Sequence, residues 1–315
     1  MNEGIPLLRF FSLPIFVGVA LGTVYPYPAF SLIWLSSFLL FTLLFVNTLS
    51  FEWRTVLPMV KGSLPQILSA QVLIFVFFPV VISAAGALLL RDRDYAFGIA
   101  VSALAPCALI NPFFAERRGG SRDVALINIA ISALLSPLLT GLILDLLGFG
   151  GIFTAPGAYF RFLALLTVVP ILFSWPVGRV LPRVRDILVS QTPLLNSLLL
   201  GALIFILTGV SLSRAPLRLL LDSQLALLFG FYFLMDFGIY VAVRKTASAF
   251  FSSKAAETLA LSAGSRNFAV TAALLLTFYP KAALAPAVGL LVHGLFFQWL
   301  LLTASAAQAN VSAAR

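Results

Sequence analysis

The sequence predicts an all-α polytopic membrane protein of ten transmembrane helices, arranged as two inverted five-helix repeats with discontinuous fourth and ninth helices. Three observations carry that reading. Of the 315 residues 61% are hydrophobic and 10% charged, with a mean hydropathy of +1.07, whereas soluble domains run roughly 45–50% apolar and about 25% charged. The apolar residues fall in about ten runs, each near the length of about 20 residues that crosses a bilayer. Two of those runs, at corresponding places in the two halves, are interrupted by Pro, Gly and polar side chains.

Charge and Pro/Gly punctuation place the spans at 8–25, 29–49, 66–90, 95–110 with a short continuation, 124–147, 159–177, 194–212, 219–243, 255–278 and 282–303. The first run reads as a span and not as a removable signal, because no basic segment precedes it and no small-residue cleavage site follows. A long connection at 148–157 separates five spans from five, so residues 1–150 form one repeat and 151–315 the other. An odd-numbered half inverts its copy, the plan of many secondary transporters. A core of spans three to five and eight to ten and a panel of spans one, two, six and seven would follow from the resemblance given below.

The net charge of +9 lies in short loops and reads as topology, not as a nucleic-acid surface. With the N-terminus inside, Arg9, Arg54, Arg117, Arg118, Arg179 and Lys245 all fall on inner connections, while outer Arg91 and Arg93 are matched by Asp92 and Asp94. The positive-inside rule then places both termini in the cytoplasm, and an even span count agrees. A bacterial inner membrane is the expected location.

The chemistry-bearing residues are few. The single cysteine, Cys107, allows no intrachain disulfide and no thiolate cluster, and the single histidine is His293. Nucleotide-binding, metallohydrolase and serine-hydrolase motifs are absent from the sequence, so no enzyme, no cofactor and no resident metal are expected.

The fourth-span break runs from Ala105 through Pro106, Cys107 and Asn111 to Pro112; the ninth-span break runs from Ser262 through Gly264 and Arg266 to Asn267. Proline removes a helix hydrogen bond, and broken helices at membrane depth are tolerated only inside protein or beside water. Paired breaks of this kind mark transporter substrate sites. Candidate substrate-binding residues are therefore Asn111, Pro112, Ser262, Arg266, Asn267, Asp236 and His293. Arg266 is the most informative, since a cation at mid-span costs at least about 2.5–3.5 kcal/mol and needs a partner or an anion. Asp236, about 11 Å deep against about 15 Å for Arg266, is the expected ion-pair partner, either as a fixed lock or as an alternate to an anionic substrate. His293 either carries a proton or hydrogen-bonds a neighbouring helix. Asn128, Ser132 and Ser136 share one face of the fifth span, lining a cavity or gluing helices. Gly18 and Gly22 form a GxxxG, and Cys107 reads as a small packing residue.

Asp123-Val-Ala-Leu126 followed by Ser136-Pro-Leu-Leu-Thr140, after a Pro- and Asn-containing break, resembles the bile acid:sodium symporter family. Thr258 to Asn267 and His293 fit the same pattern. The resemblance implies the core-and-panel fold and transport of organic anions such as bile salts and small carboxylates, usually with sodium. Asn111 falls on a fourth-span Asn that ligates sodium and neighbours substrate, and Asn267 on the ninth-span Asn. Ser262 replaces the sodium-binding Glu, and Arg266 replaces the nearby Gln. The fifth-span hydroxyl positions fall on Ala125 and Ile129, or on Ile127 and Ile131. Gln71 stands about one turn early for the third-span Gln.

Sodium wants several hard oxygens, and a fixed guanidinium repels it. Both sodium sites therefore read as dismantled, and Arg266 as the replacement charge. Asn111, Asn128, Ser132, Gln71 and Asp236 remain the candidates for ion coupling, with protons through Asp236 or His293 the alternative to no coupling. An arsenite-efflux reading through Cys107 loses its acidic partner at Ser262. A membrane sensor on the same fold and a passive channel are the competing classes. The expected partners are a small organic anion and the lipid bilayer.

Overall fold

Helix starts and stops follow local sequence chemistry. The computed structural model describes residues 13–49, 53–150, 156–214 and 223–313. The expected starts of the first and eighth spans, and part of the 148–157 connection, lie outside the described residues. Proline opens α2 (Pro26–Ser31), α5 (Leu64–Val72), α6 (Phe78–Leu89) and α8 (Asn111–Arg117) within the first two positions, where its missing N–H is no loss. Side-chain caps open others. The Asp92 carboxylate accepts from Asp94 N at 2.8 Å at the head of α7 (Arg93–Ala103), and Ser121 and Ser252 cap α9 (Arg122–Leu144) and α15 (Ser253–Gly264). Gly119, at φ +79°, supplies the left-handed turn between α8 and α9, a conformation that side chains bearing a Cβ resist.

The remaining helices are α1 (Leu13–Val24), α3 (Leu35–Thr48), α4 (Trp53–Gly62), α10 (Pro156–Val180), α11 (Pro182–Ser190), α12 (Thr192–Arg214), α13 (Ser223–Phe233), α14 (Ile239–Ala247), α16 (Phe268–Phe278) and α17 (Leu284–Ala313). A π-turn at Leu73–Phe77 joins α5 to α6, and another at Leu234–Gly238 joins α13 to α14. The expected second span is not continuous: a tight turn at 32–34, with Leu35 N bonded to Leu32 O, separates α2 from α3. Ala29 of α2 sits against Gly209 of α12 and holds that short piece at its own angle.

Six helical stretches among the described residues are long and apolar enough to cross a membrane, including Leu64–Leu89, Arg122–Phe149 and Ser223–Ala247, and shorter apolar helices accompany them. Val76, Phe77, Val80 and Leu88 point outward on the first of these. Apolar side chains facing outward are costly in water and at home in lipid, so the chain is an integral membrane protein. The interior is elsewhere. In α7 from Tyr95 onward, in α15 from Ala256 onward and in α16 through Leu276 every residue is buried, the pattern of helices surrounded on all sides.

Contacts divide the helices into two groups. α1, α2, α3 and α10 pack about α12, directly or through one another; α5 to α9 pack with α13 to α17. The groups meet where α10 touches α9 and α16 and where α12 touches α16 and α17. In the first group the Gly18 pair expected from sequence does bring backbones together: a Cβ on Gly18 would fall on the Gly201 carbonyl, and one on Gly201 would lie 2.5 Å from Pro14 O. Small residues at such crossings let dispersion replace the missing hydrophobic drive. Gly201→Leu should therefore lower the melting temperature in detergent, since overpacking costs about 1–3 kcal/mol or more. Gly62→Leu, where an added Cβ meets nothing within 4 Å, should leave it unchanged.

Candidate functional site

The two interrupted helices meet at their breaks. Between α7 and α8, residues 104–110 leave the helix; between α15 and α16, residues 265–267 do. The exposed backbone groups satisfy one another across the gap. Ala108 N donates to Ser265 O at 3.0 Å and Asn267 N donates to Pro106 O at 2.8 Å, so Cys107 and Arg266 face each other as an antiparallel bridge. Proline at 106 has no N–H to lose here, and Gly264 permits a close approach of α14, since a Cβ there would stand 3.0 Å from Tyr240 N. Side chains complete the join: Ser265 Oγ donates to Asn111 Oδ1 at 2.8 Å, Asn111 Nδ2 to Leu261 O at 3.1 Å, and Cys107 Sγ to Ser262 O at 3.3 Å. Asn267 accepts Val270 N and caps α16, whose positive end thus faces the crossing.

Arg266 lies at this join with 1% of its surface exposed, and neither Nη1 nor Nη2 has a hydrogen-bond partner. The expected ion pair with Asp236 is not what the structure contains among the described residues. Asp236 is engaged by His293, whose Nδ1 lies 3.1 Å and 3.0 Å from the two carboxylate oxygens. The reason is local: Asp236 sits inside the π-turn, which inserts a residue into the helical register and turns the carboxylate toward α17. His293 thus joins α17 to the π-turn that carries Asp236.

Two cavities adjoin the crossing. A small one of about 30 Å³ is lined by Arg266, Asn267, Phe268 and His293 on one side and by Leu43, Asn196 and Leu200 on the other. It lies between the two helix groups. A second, of about 280 Å³, is lined by Pro112, Phe113, Glu116, Arg122, Val189 and Asn47, and shares Leu109, Ile110 and Asn196 with the first. The smaller has room for about two waters or one carboxylate group; the larger opens beside Arg122 and Glu116 at the α8–α9 end.

Other expected residues are placed differently. Asn128 Nδ2 donates to Ser262 Oγ at 3.0 Å, Cys107 N donates to Ser132 Oγ at 3.1 Å, and Ser136 pairs with Thr140 at 3.3 Å. That face of α9 binds helices together and lines neither cavity. Gln71 Nε2 reaches Asn128 Oδ1 at 3.5 Å. Ser262 turns away from the cavities toward Asn128. Pro112 lines the larger cavity.

Several residues were not singled out from sequence. Asn47 and Asn196 exchange amide hydrogen bonds of 2.7 Å and 3.0 Å and both line the larger cavity. Tyr232 shares a hydrogen bond with Ser102 at 2.8 Å. Glu257 binds Arg118 at 2.7 Å and Tyr240 at 2.6 Å, with Arg244 Nε 2.8 Å from its other oxygen in a charge contact. An acid opposite several cations was legible as charge, but its partners lie in other spans. No family model and no curated protein matches the chain.

Proposed function

We propose that the protein is a secondary transporter of small organic anions, working by alternating access as a divergent relative of the bile acid:sodium symporters. In this reading ten spans form two inverted five-span repeats, 1–150 and 151–315, with both termini in the cytoplasm of a bacterial inner membrane. The helices that bracket the crossing are the core, and the group around α12 is the panel. The single observation that carries the reading is Arg266: a buried guanidinium at the join of two broken helices, its two terminal nitrogens without partners, beside a carboxylate-sized cavity. A buried donor left unpaired costs about 1–3 kcal/mol, more when charged, and an anion removes that cost.

The cavities fit such a substrate in two parts. The anionic group seats at Arg266 and the capped end of α16, and the body extends past Leu109 and Ile110 into the larger space. In this reading sodium is not required: Asn111 Oδ1, Asn128 Oδ1, Ser132 Oγ and Ser262 Oγ are engaged by hydrogen bonds within the protein, and the fixed guanidinium supplies the positive charge instead.

Counterflow in proteoliposomes tests this with pyruvate, benzenesulfonate and taurocholate, sodium replaced throughout by choline. Exchange of at least one anion without sodium, lost in Arg266→Gln, is the expected result. Strict sodium dependence overturns the fixed-charge reading, and binding without exchange turns the protein into a sensor.

A further inference from the structure

We propose that Asp236 and His293 couple the anion to one proton, which makes the protein a proton–anion symporter; this rests on the transport reading above. The geometry is a buried His–Asp pair beside a buried guanidinium. His293 Nδ1 lies between both oxygens of Asp236, and His293 and Arg266 line the same cavity. Asp236 is fully buried and His293 is 6% exposed.

The charge count decides what an anion must bring with it. With His293 neutral, Arg266 and Asp236 sum to zero. A monoanion on Arg266 leaves a net charge of −1 in a low-dielectric site, where an uncompensated charge is strongly disfavoured. The imidazole is the group placed to cancel it, because its Nδ1 stands against both oxygens of Asp236 and an added proton makes the ring a cation held against a carboxylate. The other ionisable groups from neighbouring elements do not serve. Cys107 is across the bridge from Arg266 and donates to Ser262 O. Tyr232 of α13 is bonded to Ser102. Tyr240, one turn beyond Asp236, belongs to the Glu257, Arg118 and Arg244 cluster.

Reciprocity then follows: the anion raises the affinity for the proton, and the proton raises the affinity for the anion by the same factor. One proton accompanies each monoanion, the pair crosses without net charge, and a pH gradient drives accumulation while a membrane potential does not. The proton rides on the imidazole inward and leaves with the anion, so no covalent step is involved.

A sulfonate probe separates this from passive entry of a protonated acid, because benzenesulfonate stays ionised at every usable pH. Proteoliposomes with an alkaline interior and the potential clamped by valinomycin and potassium should accumulate it about tenfold per pH unit, the limit for one-to-one coupling. His293→Gln and Asp236→Asn should abolish gradient-driven accumulation and flatten the pH profile of counterflow. As a measurement independent of any variant, adding benzenesulfonate to the wild-type protein in weakly buffered detergent should take up about one proton per anion bound. Counterflow in the wild type that depends on Arg266 but ignores the pH gradient, or anion binding with no proton uptake, overturns the coupling alone. Absence of any Arg266-dependent exchange overturns both the coupling and the transport reading.

Discussion

Replacing Arg266 by Gln should reduce anion exchange by about a hundredfold or more, while leaving the protein at least as stable as before. Charge-assisted hydrogen bonds contribute about 1.5–3 kcal/mol each, and a guanidinium offers two in parallel to a carboxylate or sulfonate. Losing both exceeds the roughly 2.8 kcal/mol that corresponds to a hundredfold. Stability moves the other way. In the unliganded protein the two terminal nitrogens are buried without partners, so removing them removes a cost, and a proton taken up by His293 balances the Asp236 carboxylate that Arg266 no longer offsets. Melting in detergent should show no decrease for Arg266→Gln, with added benzenesulfonate raising the midpoint of the wild type only. Arg266→Lys should retain part of the exchange, because a point charge keeps attraction and loses the planar fork. A large drop in melting temperature for the Gln variant would show that Arg266 holds the fold and not a substrate.

Glu257→Gln should do the opposite and unfold the α8–α9 end of the protein. Glu257 is 2% exposed and accepts from Arg118 Nε and Tyr240 OH, while Arg118 also donates to Thr303 Oγ1 at 2.6 Å and lies over the Tyr240 and Trp299 rings. One carboxylate thus ties the turn after α8 to α14, α15 and α17. Removing one partner of a buried ion pair costs about 3–5 kcal/mol because the other charge is left buried and alone. Glu257→Gln should lower the melting midpoint by many degrees, and adding Arg118→Met should recover part of the loss. High salt should change little, since the side chains of Arg118 and Glu257 are only 10% and 3% exposed and screening acts on exposed charges.

The interruptions were legible in the sequence because their causes are local. α7 ends at Ala103, just before Pro106, α8 begins with Pro112 in its first turn, and α15 ends at Gly264. Arg266 was legible as a mid-span cation that needs a partner or an anion. The pairing of Asp236 was not. Depth along a span can be counted from residue numbers, but the direction of a side chain depends on the angular register, and the π-turn at Leu234–Gly238 shifts that register. The Asn47–Asn196 pair and the Glu257 cluster were hidden for a related reason: each joins segments far apart in sequence, and no periodicity within one helix records its neighbour. The cooperation of Asn128 with Ser262, which takes up oxygens a cation would want, is likewise a contact between spans.

The bridge between Cys107 and Arg266 has a mechanical consequence. A broken helix is ordinarily a hinge, a place where a span bends. Here the backbone of one break is stitched to the other by two hydrogen bonds, with Ser265 and Asn111 adding a third between side chains. The amides of Ala108 and Asn267 should therefore rank among the slowest in the chain to exchange with deuterated solvent. This irregular backbone is thus tied as a joint and not left free, and movement between the two helix groups would fall at the contacts of α1, α3, α10 and α12 with α9, α16 and α17.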